Sequence, residues 1–402
     1  MCGFAATTMM ARHFGAASYG KLSYAYAVIS ILSPIGSLGI GKNVSVHLRD
    51  KQQMPALVKT GLGIERGGAL LIALFATIIA ASEGININSG LFLIASFANL
   101  ANSTQAIEAS LLDRKGGWFI GLANCAQATL GIVCVCGAIM LNFPLVIMGL
   151  VPLIKNLLRS ILLEVRYSSI DKNTTREKFN ASTAKTLMRR GVPLTISGIS
   201  IMLYMKIDQI MIEAFNGFAA LGIYSIAVLG STSLYFVPQI VAQTLMRKFE
   251  KPIKAESPEK MNSNREEMLI LFKAAWITGI IIFVLNCTIL PRLIFITFGD
   301  QYQESMEILP WLSPAGFAVS IGCAFSVWQN INDKVNLMML TPLLSAVINV
   351  GLNFLLIPSI GIKGAAISTT ISYFLSIYLT GLFDKSLRSD LKIISFPFLC
   401  KI

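Results

Sequence analysis

The stretch Leu70-Leu-Ile-Ala-Leu-Phe-Ala-Thr-Ile-Ile-Ala-Ala81 carries no charge, and the apolar pattern around it runs from Leu57 to Ala81. A helix needs about 20 mostly apolar residues to cross the hydrocarbon of a bilayer. Leu57–Ala81 is long enough to do so. A second uncharged run, Ile277-Thr-Gly-Ile-Ile-Ile-Phe-Val-Leu285, lies in another such segment. Across all 402 residues, 54% are hydrophobic and 13% charged, with a mean hydropathy of +0.67. Soluble domains carry about 25% charged residues. A soluble enzyme, a disordered chain and a nucleic-acid-binding domain therefore fit poorly. The pattern predicts a polytopic membrane protein.

Read by the same length rule, the chain holds eleven full spans and a partial one at its start. The first set lies near Met1–Ala11 (partial), Leu22–Ile40, Leu57–Ala81, Leu91–Leu112, Trp118–Leu141 and Leu145–Glu164. The second set lies near Val192–Ala214, Ala219–Leu245, Met268–Phe298, Ile308–Asn330, Asn336–Ile357 and Ile362–Phe383. Helix is expected throughout, because lipid offers no hydrogen-bond partner to an open backbone. The alternating ten-residue pattern of a barrel is absent. Eleven apolar residues cannot cross the bilayer, so the partial first span predicts a start upstream of Met1 or a truncated product.

The formal net charge is +12, from 33 Lys+Arg against 21 Asp+Glu. Its distribution is a topology signal. The even-numbered connections and the tail hold 24 of the 33 cations, whereas the odd connections hold only Arg12, Lys21 and Lys363. Cations stay on the cytoplasmic side, so even loops and both termini are expected there. The seven cysteines include no Cys-x-x-Cys pair, and most lie in apolar runs, where a thiol behaves as a small hydrophobe. His13 and His47 fall on opposite sides of the membrane by this topology and cannot share a metal.

The chain repeats itself weakly. Gly15, Ala17, Gly20, Ser23 and Ala25 recur 202 residues later as Gly217, Ala219, Gly222, Ser225 and Ala227. Asp113, Arg114, Ala126 and Gly131 recur 220 residues later as Asp333, Lys334, Ala346 and Gly351. Six is even, so two halves of six spans share one orientation, the parallel-repeat plan of transporters. The expected fold is an all-α integral membrane protein of two six-helix lobes, the first helix truncated. Its parts are an N-terminal lobe (1–165), a cytoplasmic linker (166–190), a C-terminal lobe (191–384) and a cytoplasmic tail (385–402).

Gly15-Ala-Ala-Ser-Tyr-Gly20-Lys21 has the outline of a phosphate loop, but Leu22 follows where Ser or Thr is needed. The glycines fit a turn at the outer surface instead. The wider segment, Ala11-Arg-His-Phe-Gly-Ala-Ala-Ser-Tyr-Gly20 with Pro34-Ile-Gly-Ser-Leu-Gly39, resembles the N-terminal signature of Wzx-type polysaccharide flippases. Ile207-Asp-Gln-Ile-Met and Ala220-Leu-Gly-Ile-Tyr-Ser225 resemble their seventh and eighth spans. Asn349-Val-Gly-Leu-Asn353-Phe-Leu-Leu-Ile-Pro358 and Gly361-Ile-Lys-Gly-Ala-Ala366 carry the most specific likeness. Glu213-Ala214 departs from it, since relatives usually carry Gly there. The resemblance implies the multidrug/oligosaccharidyl-lipid/polysaccharide exporter superfamily, with twelve helices in two lobes.

An ionised side chain within a span costs about 2.5–3.5 kcal/mol on insertion scales, so it usually faces a cavity or a partner. Lys155, Arg159 and Arg166 share one face of span six. Cations suit a pyrophosphate-linked lipid, because Arg and Lys bind phosphate oxygens. Snorkelling to the headgroups explains Arg159 and Arg166 equally, but Lys155 lies roughly 14 Å from the helix end. Arg66 in span three and Lys206 in span seven are further substrate-binding candidates. Asn99 and Glu108 make span four polar enough for a cavity wall. Asp208 matches the family motif as a coupling-ion candidate, and an interhelical hydrogen bond is the competing reading. Ser345, Asn349 and Asn353 form a polar stripe that helix–helix contact would also explain.

The resemblance implies a non-enzymatic flippase in the bacterial inner membrane. Its cargo would be a polyprenyl-pyrophosphate-linked O-antigen repeat unit, moved from the cytoplasmic to the periplasmic leaflet by alternating access. Its partners would be membrane lipid, a polysaccharide polymerase and a chain-length regulator; no cofactor and no nucleic acid are expected. A multidrug antiporter of the same superfamily would favour acidic cavities. An O-antigen polymerase or ligase would need a large outer loop, and every outer loop here is about ten residues or shorter.

Overall fold

A computed structural model describes residues 2–47, 54–83, 87–170, 179–248, 258–332, 334–383 and 393–399. Among these residues there is no strand. The helices are α1 (Cys2–Ser37), α2 (Ile40–His47), α3 (Met54–Glu83), α4 (Ile87–Ala101), α5 (Gln105–Asp113), α6 (Gly117–Met140) and α7 (Leu145–Ile170). After them come α8 (Ala181–Thr232), α9 (Phe236–Lys248), α10 (Pro258–Phe298), α11 (Gln303–Ile331), α12 (Val335–Ile360) and α13 (Ile362–Phe383). Eight helical segments among the described residues are long and apolar enough to cross a membrane. On α3, Leu71 and Ile78 are 68% and 67% exposed while Ala76 on the same helix is buried. A helix apolar on both faces is matched to lipid outside and to its neighbours inside. The molecule is a multi-pass membrane protein.

The internal repeat has a conformational counterpart. α1 and α8 are each two helices joined at a glycine, Gly15 (φ 79°, ψ 171°) and Gly217 (φ 80°, ψ 177°). That backbone region is essentially closed to residues with a Cβ. The two matched glycines turn the chain between the first and second, and the seventh and eighth, spans. Among the described residues, each of these glycines therefore joins two successive apolar helices.

Three expected spans are not single helices. Leu91–Leu112 is broken between α4 and α5 at Asn102–Thr104. There the Asn102 and Ser103 amides turn back to the Asn99 and Leu100 carbonyls. Short polar side chains compete for the backbone and favour such a break. The span from Leu22 stops at Ser37, and Gly39 (φ 61°) leads into the separate helix α2. The span from Ala219 likewise stops at Thr232, and α9 follows. Breaks after the second and eighth spans occupy equivalent places in the two halves.

By internal packing the chain divides into Met1–Lys206 and Ile207–Ile402, a line that falls inside α8. The first unit has two apolar clusters. One gathers Ile40, Leu57, Ile107, Ala123 and Leu163; the other gathers Leu22, Ile72, Leu91, Val135 and Val151. Helix α1 crosses α3 at close range, since a Cβ on Gly68 would lie 2.2 Å from the Gly36 carbonyl oxygen. The second unit packs Phe272, Phe325, Trp328 and Ile377 around Ile393 and Ile394. The Trp276 indole donates to the Ile394 carbonyl at 2.9 Å, which ties this late segment to α10.

Candidate functional site

The two apolar clusters of the first unit leave a polar layer between them. Along α3 the order is Leu57 in one cluster, then Glu65 and Arg66, then Ile72 in the other. Along α7 it is Val151, then Lys155, Asn156 and Arg159, then Leu163. On α6, Asn124 and Gln127 separate Ala123 from Val135. The α4–α5 break contributes Asn99, Asn102 and Thr104. These segments place polar residues between the two apolar clusters, where they can satisfy one another away from water.

Arg159 organises this layer and is 9% exposed. Its guanidinium pairs with Glu108 at 2.9 Å. It also donates to Asn124 Oδ1 at 2.7 Å, to Thr104 Oγ1 at 3.2 Å and to Asn102 Oδ1 at 3.4 Å. Thr104 in turn donates to Glu108 at 3.1 Å. A rigid fork of five N–H donors suits such a convergence, which a lysine could not reproduce. One cation thereby holds α7, α6 and both sides of the helix break. Beside it, Asn156 accepts from Gln127 at 2.7 Å and donates to the Ala98 carbonyl at 2.9 Å.

Arg66 reaches across to Glu164 on α7, and Ser160 donates to the same carboxylate at 3.0 Å. Lys155 differs from both arginines: among the described residues no carboxylate pairs with it. Its stem lies along α6, where a Cβ built on Gly131 would come 3.6 Å from its Cδ. Asn99 lines a polar cavity with Ser33, Ser37, Glu65, Asn102 and Gln105. Arg166 stands over the Trp118 and Phe119 rings, its guanidinium carbon 5.7 and 5.6 Å from their centroids.

The second unit has its own buried polar cluster. Asp208 is 3% exposed and accepts from the Tyr224 hydroxyl at 2.5 Å. Asn349 of α12 donates to Thr369 and Ser372 of α13, each at 3.4 Å, and accepts from Asn353 at 3.0 Å. The Asn353 carbonyl oxygen and the Ser345 hydroxyl, both buried, have no hydrogen-bond partner among the described residues. Lys206 is half-buried and ends the first unit, two residues before Asp208. Among the described residues, no three His, Cys, Asp or Glu side chains gather as a metal-ligating group.

Residues 9–307 match the family described as Polysaccharide biosynthesis protein. The chain belongs to that family. No curated sequence gives a significant match. Its fold is shared with transporters of the MOP superfamily. A multidrug resistance MATE transporter in an inward-facing conformation superposes with a TM-score of 0.74 at 14% identity, covering 98% of this chain and 94% of that one. The lipid II flippase MurJ, inward closed, gives 0.69 at 15% identity, covering 99% and 88%. A MOP superfamily transporter from Pyrococcus furiosus, described as having a binding pocket of reverse polarity, gives 0.62 at 14% identity, covering 98% and 92%. At these identities the likeness is one of fold.

In this family member the structure joins some residues that the sequence singles out and separates others. Arg66, Asn99, Glu108, Lys155 and Arg159 all belong to the polar layer of the first unit, whereas Asp208 belongs to the second unit. Asn124, Gln127, Asn156 and Glu164 complete the layer but stand out less in the sequence. Asn124 and Gln127 are three apart in an otherwise apolar span, as are Asn156 and Arg159. That spacing on one helical face was the available signal. Tyr224 follows Asp208 across the Gly217 turn, whereas nothing in the sequence places Thr369 of span twelve beside this cluster.

Proposed function

We propose that this protein is a flippase. It carries polyprenyl-pyrophosphate-linked O-antigen or related polysaccharide repeat units from the cytoplasmic to the periplasmic leaflet of a bacterial inner membrane by alternating access. The observation that carries this reading is the combination of family and fold: a polysaccharide biosynthesis protein built like MOP transporters, one of which flips lipid II. Lys155 is the side chain best suited to meet the pyrophosphate, since no carboxylate competes for its ammonium. Arg66, Arg159 and Lys206 add positive potential to the path, while Asn99 and Glu108 offer hydrogen bonds to sugar hydroxyls. Asp208 is the candidate for ion coupling, with Tyr224 able to share its proton. A polymerase and a chain-length regulator would act on the delivered unit.

The decisive measurement is the accessibility of lipid-linked repeat units to an impermeant glycosidase in oriented membrane vesicles. Deleting the gene should confine the units to the cytoplasmic leaflet; their arrival outside, with no second flippase present, would overturn the reading. Lys155→Met should lower delivery about tenfold or more at unchanged protein level, since a hydrogen bond to a charged group is worth about 1.5–3 kcal/mol. Lys273→Ala should have little effect. A multidrug antiporter is the competing reading, favoured by the 0.74 likeness to a MATE transporter. Proteoliposome uptake of a fluorescent organic cation, with normal repeat-unit delivery in the deletion strain, would decide for it.

A further inference from the structure

The short connection from α5 to α6 holds a lysine where a helix end favours glycine. Lys115 has a left-handed backbone (φ 58°) just past the end of α5. Its amide donates to the Leu112 carbonyl at 3.1 Å, and the Gly116 amide donates to the Leu111 carbonyl at 2.7 Å. This paired closure ends many helices, with glycine usual at the left-handed position because a Cβ there is strained. A strained residue that keeps a long charged side chain points to a use for its ammonium. Lys115 is exposed, and the first turn of α6 presents Trp118, also exposed.

Helix α7 adds a second cation at the same end. The Arg166 guanidinium carbon lies 5.7 Å from the Trp118 ring centroid and 5.6 Å from that of Phe119. Stacking of this kind steadies a guanidinium while leaving its N–H edge open to an acceptor. Among the described residues no carboxylate pairs with Lys115 or Arg166. With Arg114 they set three cations against the one carboxylate of Asp113 in this connection. Further along the two helices the outward side chains are apolar: Leu122 on α6, and Leu157, Ile161 and Val165 on α7, are all exposed. The helices pack against each other, so a basic and aromatic end adjoins apolar flanks.

We propose that this end of α6 and α7 binds an anionic phospholipid. Lys115 and Arg166 take the phosphate, the Trp118 ring sits at headgroup level, and the acyl chains run along Leu122, Ile161 and Val165. The cation pattern assigns this end to the cytoplasmic leaflet, and tryptophan is at home at that depth. Basic residues near a membrane surface favour anionic lipid, whereas a zwitterionic headgroup brings its own ammonium and gains little. An acidic protein would have no use for the apolar flanks that continue below the cations. The site does not depend on the identity of the transported cargo.

The full-length protein in vesicles of mixed phosphatidylglycerol and phosphatidylcholine tests it, with bromine on the chains of one lipid or the other. Bromine quenches a nearby tryptophan, and the difference from Trp118→Phe isolates the Trp118 signal. Brominated phosphatidylglycerol should quench as if it were enriched at least about tenfold over phosphatidylcholine. Lys115→Gly and Arg166→Gln should each cut that preference about fivefold, the factor for about 1 kcal/mol per basic residue near an anionic surface. Lys115→Gly also relieves the left-handed backbone, so it should unfold at no lower a temperature than wild type. A lower unfolding temperature with unchanged lipid preference would make Lys115 structural and overturn its role. Equal quenching by the two lipids in the wild type would overturn the proposal outright. So would relief of the quenching by a small fraction of unlabelled polyprenyl pyrophosphate, which would assign the patch to the cargo.

Discussion

Arg159→Leu removes the one group that satisfies Glu108, Asn102, Asn124 and Thr104 together. Breaking a buried ion pair by taking one partner costs about 3–5 kcal/mol, because the remaining charge is left uncompensated. Glu108 is partly accessible, with a side-chain exposure of 26%, so the lower end of that range is expected. Arg159→Lys should be nearly as harmful, since an ammonium cannot reach four acceptors in one plane. Thermal unfolding of the purified variants checks this. Unfolding at the wild-type temperature with lost delivery would instead make Arg159 a substrate contact and nothing more. Lys155→Met should show the opposite pattern, normal unfolding and lost delivery. The two cations are four residues apart on one helix, and only their partners separate a structural role from a binding role.

At the scale of elements, the helix joints carry the strain. Gly15 and Gly217 have backbone angles that a Cβ disfavours by about 1–3 kcal/mol. Nothing crowds Gly217 within 4 Å, so the cost of Gly217→Ala is purely conformational. The variant should unfold at a lower temperature than wild type. Gly351→Ala is the matched control: that glycine is inside α12 with open space around it, and alanine there gains up to about 1 kcal/mol of helix propensity. If both substitutions behave alike, the joints are not where the strain lies. The breaks after the second, fourth and eighth spans have a different origin. They arise from polar or glycine-containing turns inside apolar stretches, and hydropathy averages straight through them.

For the molecule as a whole, the cation count predicts an orientation that labelling can check. Asn142, in the short connection between α6 and α7, should lie outside, and Asn332, before α12, inside. With the native cysteines replaced, Asn142→Cys should react with an impermeant maleimide in intact spheroplasts, and Asn332→Cys only in inverted vesicles. The reverse pattern would invert the topology and with it the proposed direction of transport.

Apolar length and cation placement depend only on local sequence, so the number, position and expected orientation of the spans were open to reading from the chain. The repeat was also open, because Gly15 and Gly217 are needed for a backbone angle that each half requires separately. The pairing of charges was not. Arg66 and Glu164 are far apart in the chain, as are Arg159 and Glu108, and residues adjacent in sequence point away from each other on a helix. Sequence therefore identified Arg66, Lys155, Arg159 and Glu108 as groups that cannot face lipid alone. Tertiary packing decided which are spent on one another. Among the described residues it leaves Lys155 without a carboxylate, because burial and partnership are properties of neighbours that only the folded chain supplies.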